Sequence, residues 1–463
     1  MTQIDLQAAL TERASTLAVP GVAVGLYLEG EEHYAFHGVT SVDNPLDVDA
    51  DTLFQFGSTG KTYTATAMMR LVDQGKVDLH ERVRAYLPEF AVADEATSNA
   101  VTVLQLFNHT AGWPGDVFDD TGQGDDALER YVARMATLEQ DTPLGMAVSY
   151  NNASLSVAGR IIEKVTGTTY EQAIKDLLLT PLGLDGTHIF VNDIMTKRFA
   201  VGHNQDDDGT ITIARPWAMA RSGTPAGGIS STAADQIAWA RFHLGDGRAK
   251  DGTRVLSAEL LTSMQQPTVR AGGALGDHIG ISWMLRDVDG VRFVQHGGDT
   301  IGQHSVFVMV PERDFAITVL TNCGPNGGQL NEELTRWALE AYLGVVIRDP
   351  EPVEVDVATL AQYAGRYETN AATCDVSAAA GGLTLVVEFK PEALAELGIP
   401  DADAEKRQEI EVGMTAGDGD QYVVTGGPAK GMRGYFGRHP DGTISGVHVG
   451  GRFALRIASM ERA

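Results

Sequence analysis

The feature of this chain that most limits its fold is a hydrophobic period that, after one short helical stretch, runs at two residues, changes to 3.6, and returns to two. An amphipathic stretch over 1–17 places Leu6, Ala9, Leu10 and Leu17 on one face and predicts a first helix. Two runs that read as strands, 22–28 and 32–39, then flank Glu29-Gly30-Glu31 and predict a hairpin. Over 59–74 the spacing of Ala65, Met68, Met69 and Val72 predicts a helix that Gly75 ends. More helices are expected over 127–138, 153–166, 170–178, 233–244 and 258–265, between turns rich in Gly, Pro and Asp. Near Ile279 period two resumes, with strands expected over 292–296, 304–310 and 315–321 and a closing helix over 330–343. Strands at both ends of such a unit can share one antiparallel sheet with the helical stretch inserted at its side, an α+β arrangement.

Past that unit the punctuation changes. Arg348-Asp349-Pro350-Glu351-Pro352 marks a linker over 348–356, which separates a domain over 1–347 from a second one over 357–463. Short β-like runs at 383–389, 421–425, 434–437, 446–449 and 453–457 predict that the second domain is a small all-β barrel or sandwich.

Composition narrows the function classes. A formal charge of −27 over 463 residues repels phosphate backbones and acidic headgroups, so neither nucleic acid nor a membrane surface is an expected partner. No apolar run approaches the roughly 18 residues of a membrane span, and no leader pattern precedes the first helix. The expected location is the cytoplasm. Cys323 and Cys374 are the only cysteines and form no C-x-x-C pair, so two reduced thiols are expected. The stretch 116–126, with Asp119, Asp120 and Asp125, lacks the spaced Gly and terminal Glu of a calcium loop and reads as a solvated loop.

Three local patterns could carry chemistry. Gly57-Ser58-Thr59-Gly60-Lys61 follows the strand-like Leu53-Phe54-Gln55-Phe56 and opens a helix, where free N–H groups and the positive dipole end suit a developing oxyanion. Lys61, three residues after Ser58, shares its helix face, and a desolvated lysine can act as a base. Tyr150-Asn151-Asn152 precedes the helix expected from Ala153; in extended backbone Tyr150 and Asn152 would face one site. His296-Gly297-Gly298 ends an expected strand, and its glycines leave room for a substrate against the backbone. Singly these are weak. With nine Lys and seventeen Ser, an S-x-x-K arises by chance in about one such chain in three.

Their common order is another matter. Ser58/Lys61, Tyr150/Asn152 and His296/Gly298 resemble the S-x-x-K, Y-x-N and H-x-G motifs of the serine β-lactamase and D-Ala-D-Ala carboxypeptidase superfamily, closest to its esterase, D-aminopeptidase and class C β-lactamase-like branch. Leu104 to Gly112 (LQLFNHTAG), Pro225 to Ser231 and His296 to Gly302 (HGGDTIG) extend the likeness, and the segment around Tyr363-Ala364-Gly365-Arg366-Tyr367 resembles the lipocalin-like tail of some relatives. The resemblance implies Ser58 as nucleophile, Lys61 as base, Tyr150 as proton relay and Asn152 as substrate anchor. It also implies an oxyanion held by the amides of Ser58 and Asp299, a structural role for His109, and no cofactor or metal. His296 stands where many β-lactamases have Lys, which removes a fixed cation for a β-lactam carboxylate. The Asp299 carboxyl beside the oxyanion donor should favour an amine.

The expected activity is therefore hydrolysis of an ester, an amide or a short peptide, D-amino-acid peptides included, with room for a homo-oligomer. The alternatives are a β-lactamase or D,D-carboxypeptidase and a non-catalytic peptide or β-lactam binder. An α/β-hydrolase would need His296-Gly297-Gly298 ahead of its nucleophile and a G-x-S-x-G after it, and the order here is reversed.

Overall fold

The computed structural model describes residues 4–206, 208–379, 381–391, 407–417, 419–427 and 429–457. The first helix is Leu6–Thr16, capped by the Asp5 side chain; the first three residues of the expected 1–17 stretch lie outside the described residues. So do 392–406 and 458–463 of the expected second domain.

Both strand-bearing ends of the first unit meet in one eight-stranded antiparallel sheet. Its order is Glu31–Gly38, Gly21–Leu28, Phe315–Thr321, His304–Val310, Val291–Asp299, Met284–Val288, His278–Ile279, Val269–Arg270. The register Val24↔Val319 pairs a strand from the start of the chain with one almost 300 residues later.

Alternation sorts the strand side chains between two cores. Val22, Val24 and Leu26 join Leu10, Leu330 and Leu334 beneath helices Leu6–Thr16 and Asn326–Leu343. Ala23 and Tyr27 face the other way, with Tyr63, Met68, Ile161 and Trp239 of helices Gly60–Asp73, Ala153–Thr166 and Ala233–Leu244. The inserted helices are more broken than their periodicity suggests. The expected 127–138 is Ala127–Arg134 followed by a 3-10 turn, and 170–178 is Tyr170–Ile174 running into a π turn, Lys175–Leu179. The closing helix starts four residues early, at Asn326.

The chain then forms a closed eight-stranded barrel from Gly365–Glu368 to Arg452–Arg456, with Tyr367 paired to Arg456 across the closure. It has its own core around Tyr367, Leu385, Phe436 and Val447. Closure removes the free edges that an open sheet of short strands would expose. Cys323 and Cys374 are buried and unpaired, and no described helix is long and apolar enough to cross a membrane.

Candidate active site

Ser58 sits where a two-residue strand, Phe54–Gln55, turns through Gly57–Thr59 into helix Gly60–Asp73. Two glycines make that corner possible. Gly57 has φ +55°, and a Cβ there would lie 2.7 Å from the backbone N and O of Asp299. At Gly298 a Cβ would meet Phe56 O at 2.0 Å and Ser58 N at 2.5 Å. Only side-chain-free backbone allows strand Val291–Asp299 to press against Ser58, which sets Asp299 against Gly57 and Gly298 against the Ser58 amide. Ser305 Oγ donates to Phe56 O at 2.7 Å and fixes the same corner to the sheet.

Lys61 is fully buried, and its Nζ donates to Ser58 Oγ at 2.9 Å and to Ala226 O at 2.7 Å. Burial, and after it the charge of Arg452, hold its pKa well below the ordinary lysine range, with Asp116 pulling the other way. The amine can therefore shed its proton and take the one on Ser58 Oγ.

Tyr150 is buried with its ring centroid 4.8 Å from Lys61 Nζ and 4.5 Å from the His109 ring. Burial raises the phenol pKa, and interaction with the Ser58 side chain opposes that rise. A small apolar cluster of Val148, Tyr150, Ala271, Leu275 and Ile279 seats it.

Asn152 departs from the extended geometry expected of it. It has φ −78° and ψ −41° at the start of helix Ala153–Thr166, and its Nδ2 donates to Asp116 Oδ1 at 2.8 Å. The capping is done by Asn151, whose Oδ1 accepts from Ser154 N. Tyr150 and Asn152 face the same cleft because a helix start, and not a strand, turns them there.

His296-Gly297-Gly298 lies at the end of a strand as expected, one residue before the close of Val291–Asp299, paired with Phe307, Val306 and Ser305. His296 Nδ1 lies 2.6 Å from Gly297 O, and a carbonyl can only accept, so Nδ1 carries the proton. Burial first, then Lys61, push the ring pKa down to about 3, so His296 is neutral across the physiological range. The Asp299 side chain is 79% exposed at the cleft mouth and accepts from His304 Nδ1. His109 is buried, and its Nδ1 accepts from Asn151 N at 3.2 Å.

Two residues escaped the sequence reading. Arg452, at the start of the last barrel strand, binds both oxygens of Asp116 at 2.7 Å and lies 4.8 Å from the Tyr150 ring centroid. The same barrel turn accepts from Tyr150 N through Gly451 O at 2.8 Å, and Phe453 N donates to Ser149 Oγ. Asp116 is therefore not part of a solvated loop: Arg452 and the Asn152 hydrogen bond hold it ionised, outweighing the upward push of its own burial. Ser58, Asn152, His296, Asp299 and Arg452 line one cleft of about 1040 Å³, and its far wall is also barrel, at Ala371 and Phe389.

A serine hydroxyl held 2.9 Å from a buried lysine amine on this α+β scaffold defines a serine hydrolase. The sequence profile of the family described as Beta-lactamase matches residues 6–342, and the chain belongs to that family. Penicillin-binding protein 4 of Amycolatopsis lactamdurans is 38% identical over 359 residues, 76% of this chain and 93% of that protein. The crystal structure of SurE superposes with a TM-score of 0.78 at 25% identity, over 98% of both chains. A second structure of SurE, with D-Leu, gives 0.76 at the same identity and coverage.

Proposed function

We propose that this hydrolase cleaves an ester or amide through an acyl-enzyme on Ser58, with short peptides that carry D-amino acids as its substrate class. The observation that carries this reading is the 2.9 Å contact between Ser58 Oγ and a buried Lys61 whose proton is easily lost. Lys61 takes the hydroxyl proton as Oγ attacks the carbonyl carbon. The amides of Ser58 and Asp299 hold the oxyanion, and Tyr150 passes the proton to the leaving group as its bond breaks. Water then cleaves the Ser58 ester by the reverse route, while Asn152 orients the acyl chain.

The charge of the cleft favours an amine-bearing substrate. Arg134 is paired with Asp119 and Arg452 with Asp116, whereas Glu139, Asp141 and Asp299 have no ion-paired Arg or Lys among the described residues. A β-lactam carboxylate finds neutral His296 and, among the described residues lining the cleft, no unpaired Arg or Lys. The D-Leu in the related SurE structure supports the D-amino-acid preference.

Mass spectrometry after a fluorophosphonate, together with a panel of p-nitrophenyl esters, D- and L-amino-acid amides and a chromogenic cephalosporin, tests the reading. We expect an adduct on Ser58 and turnover of esters and D-amino-acid amides. Absence of both adduct and turnover would make the protein a binder; turnover of the cephalosporin alone would make it a β-lactamase. Asp299→Asn should erase the preference for free over blocked amines, and an unchanged preference removes Asp299 from substrate selection.

A further inference from the structure

We propose that the seam between the hydrolase sheet and the barrel binds a small dianion of the phosphate class, in a cavity separate from the catalytic serine. The cavity has a volume of about 300 Å³ and is lined by Arg286 of strand Met284–Val288, Arg336 of helix Asn326–Leu343, and Lys430 and Arg433 of the barrel. Among the described residues its only lining carboxylates are Glu332 and Asp349, and both are engaged by Arg336, at 2.7 and 2.6 Å. Four cations against two carboxylates leave two positive charges in excess, in a chain whose net charge is −27.

These charges are not diluted by other contacts. Arg286, Lys430 and Arg433 form no ion pair among the described residues, and Arg286 Nε is buried without an acceptor. A buried guanidinium donor with no partner is destabilising, and an oxyanion would supply the missing acceptor. Burial first, and then the neighbouring charge of Arg433, push the Arg286 guanidinium down to about 10, with Asp277 and Asp349 pulling the other way. Guanidinium forks match phosphate oxygens two at a time, and a dianion closes the charge balance. The volume equals about ten waters, enough for a phosphate group or a small monoester and too little for a long chain.

The site would bridge the two halves of the molecule, since Arg286 belongs to the catalytic sheet and Arg433 to the barrel that delivers Arg452. It shares Ala274 and Gln295 as walls with the active-site cleft, so an anion here also braces the strand next to His296.

Calorimetric titration of the full chain with inorganic phosphate, at ionic strength matched with chloride, tests the proposal. The expected result is one saturable site per chain, weakened at least tenfold in Arg433→Gln and in Arg286→Gln. Lys197→Gln, which removes a positive charge outside the cavity, should stay within twofold of the parent. Arg433→Gln lies at a half-exposed barrel position and keeps the test usable if the change at Arg286 disturbs the sheet. Three results overturn the proposal: no saturable heat, full affinity in Arg433→Gln, or equal weakening by Lys197→Gln, which would mark a non-specific charge effect.

Discussion

Replacing Arg452 with Gln asks whether a barrel residue works inside the hydrolase cleft. Its guanidinium binds both oxygens of Asp116 at 2.7 Å and lies 4.8 Å from the Tyr150 ring centroid. The two side chains are 32% and 28% exposed, so the loss falls between the roughly 0.2–1 kcal/mol of a surface pair and the roughly 3–5 kcal/mol of a broken buried one. An intermediate value of about 2 kcal/mol follows from that exposure. If this energy holds Tyr150 and Asn152 in position against Ser58, kcat/KM for a p-nitrophenyl ester falls about thirty-fold. Asp116→Asn breaks the same pair from the other side and should cost about as much. The double variant should stay near thirty-fold, where independent effects would multiply to about a thousand-fold. The pH profiles separate the single variants, because Arg452 lowers the Lys61 pKa and Asp116 raises it. The acid limb of kcat/KM therefore moves to higher pH in Arg452→Gln and to lower pH in Asp116→Asn. A loss under twofold in Arg452→Gln, multiplying losses in the double variant, or limbs that move together would refute the reasoning.

Lys61→Met keeps the buried volume and removes the amine; kcat/KM should fall about a thousand-fold while the far-UV spectrum is retained, and an active variant would remove Lys61 from proton transfer. Gly298→Ala places a methyl 2.0 Å from Phe56 O, so the strand must back away from Ser58; fluorophosphonate labelling should slow by about a hundred-fold, the order expected for a misplaced oxyanion donor, and parental labelling would contradict the close-packed corner. Acid should weaken the fold. His243, His296 and His448 are held down to about 3, so the stability they contribute is present above 6.5 and is lost as pH falls toward 3, whereas Asp141 and Asp235, raised to about 6, return stability over the same descent. His109 is held down with them, so on balance unfolding takes up protons and stability should fall from pH 6 to pH 4; urea unfolding that is as costly at pH 5 as at pH 6 would contradict these assignments.

What could be read from the sequence follows the range of each interaction. Ser58 and Lys61 were legible because one helical turn sets their contact, and Gly298 because a glycine beside His296 announces close backbone approach. Asp116 and Arg452 were not, since 336 residues separate them and nothing local distinguishes Asp116 from the exposed Asp120 and Asp125 after it. The barrel strands Ala372–Ala379 and Arg407–Met414 were missed for a related reason. Their inward positions, Cys374, Val376, Val412 and Met414, are few and lie far apart in the chain, and they become a core only when the barrel closes around them. The breaks after Arg134 and Ile174 are absent from the periodicity because tertiary packing, not propensity, sets where those helices stop.

The charges at Ser58 also separate reactivity from selectivity. Arg452 and Asp116 act on Lys61 with opposite signs and each less than burial does, so the state of Lys61 rests first on its burial. Buried groups are screened little by salt, whereas exposed charges lose most of their reach beyond about 10 Å at 0.1 M ionic strength. In the proposed reading, selection for an amine falls to Asp299 and Glu139, both exposed at the cleft. Raising the salt from about 0.05 to 0.5 M, where the screening length shortens severalfold, should then raise KM for a free-amine D-amino-acid ester and leave KM for its blocked counterpart and kcat for both nearly fixed. If kcat falls with salt, Lys61 depends on charges that salt can reach; if both KM values rise together, the rim carboxylates do not choose the substrate.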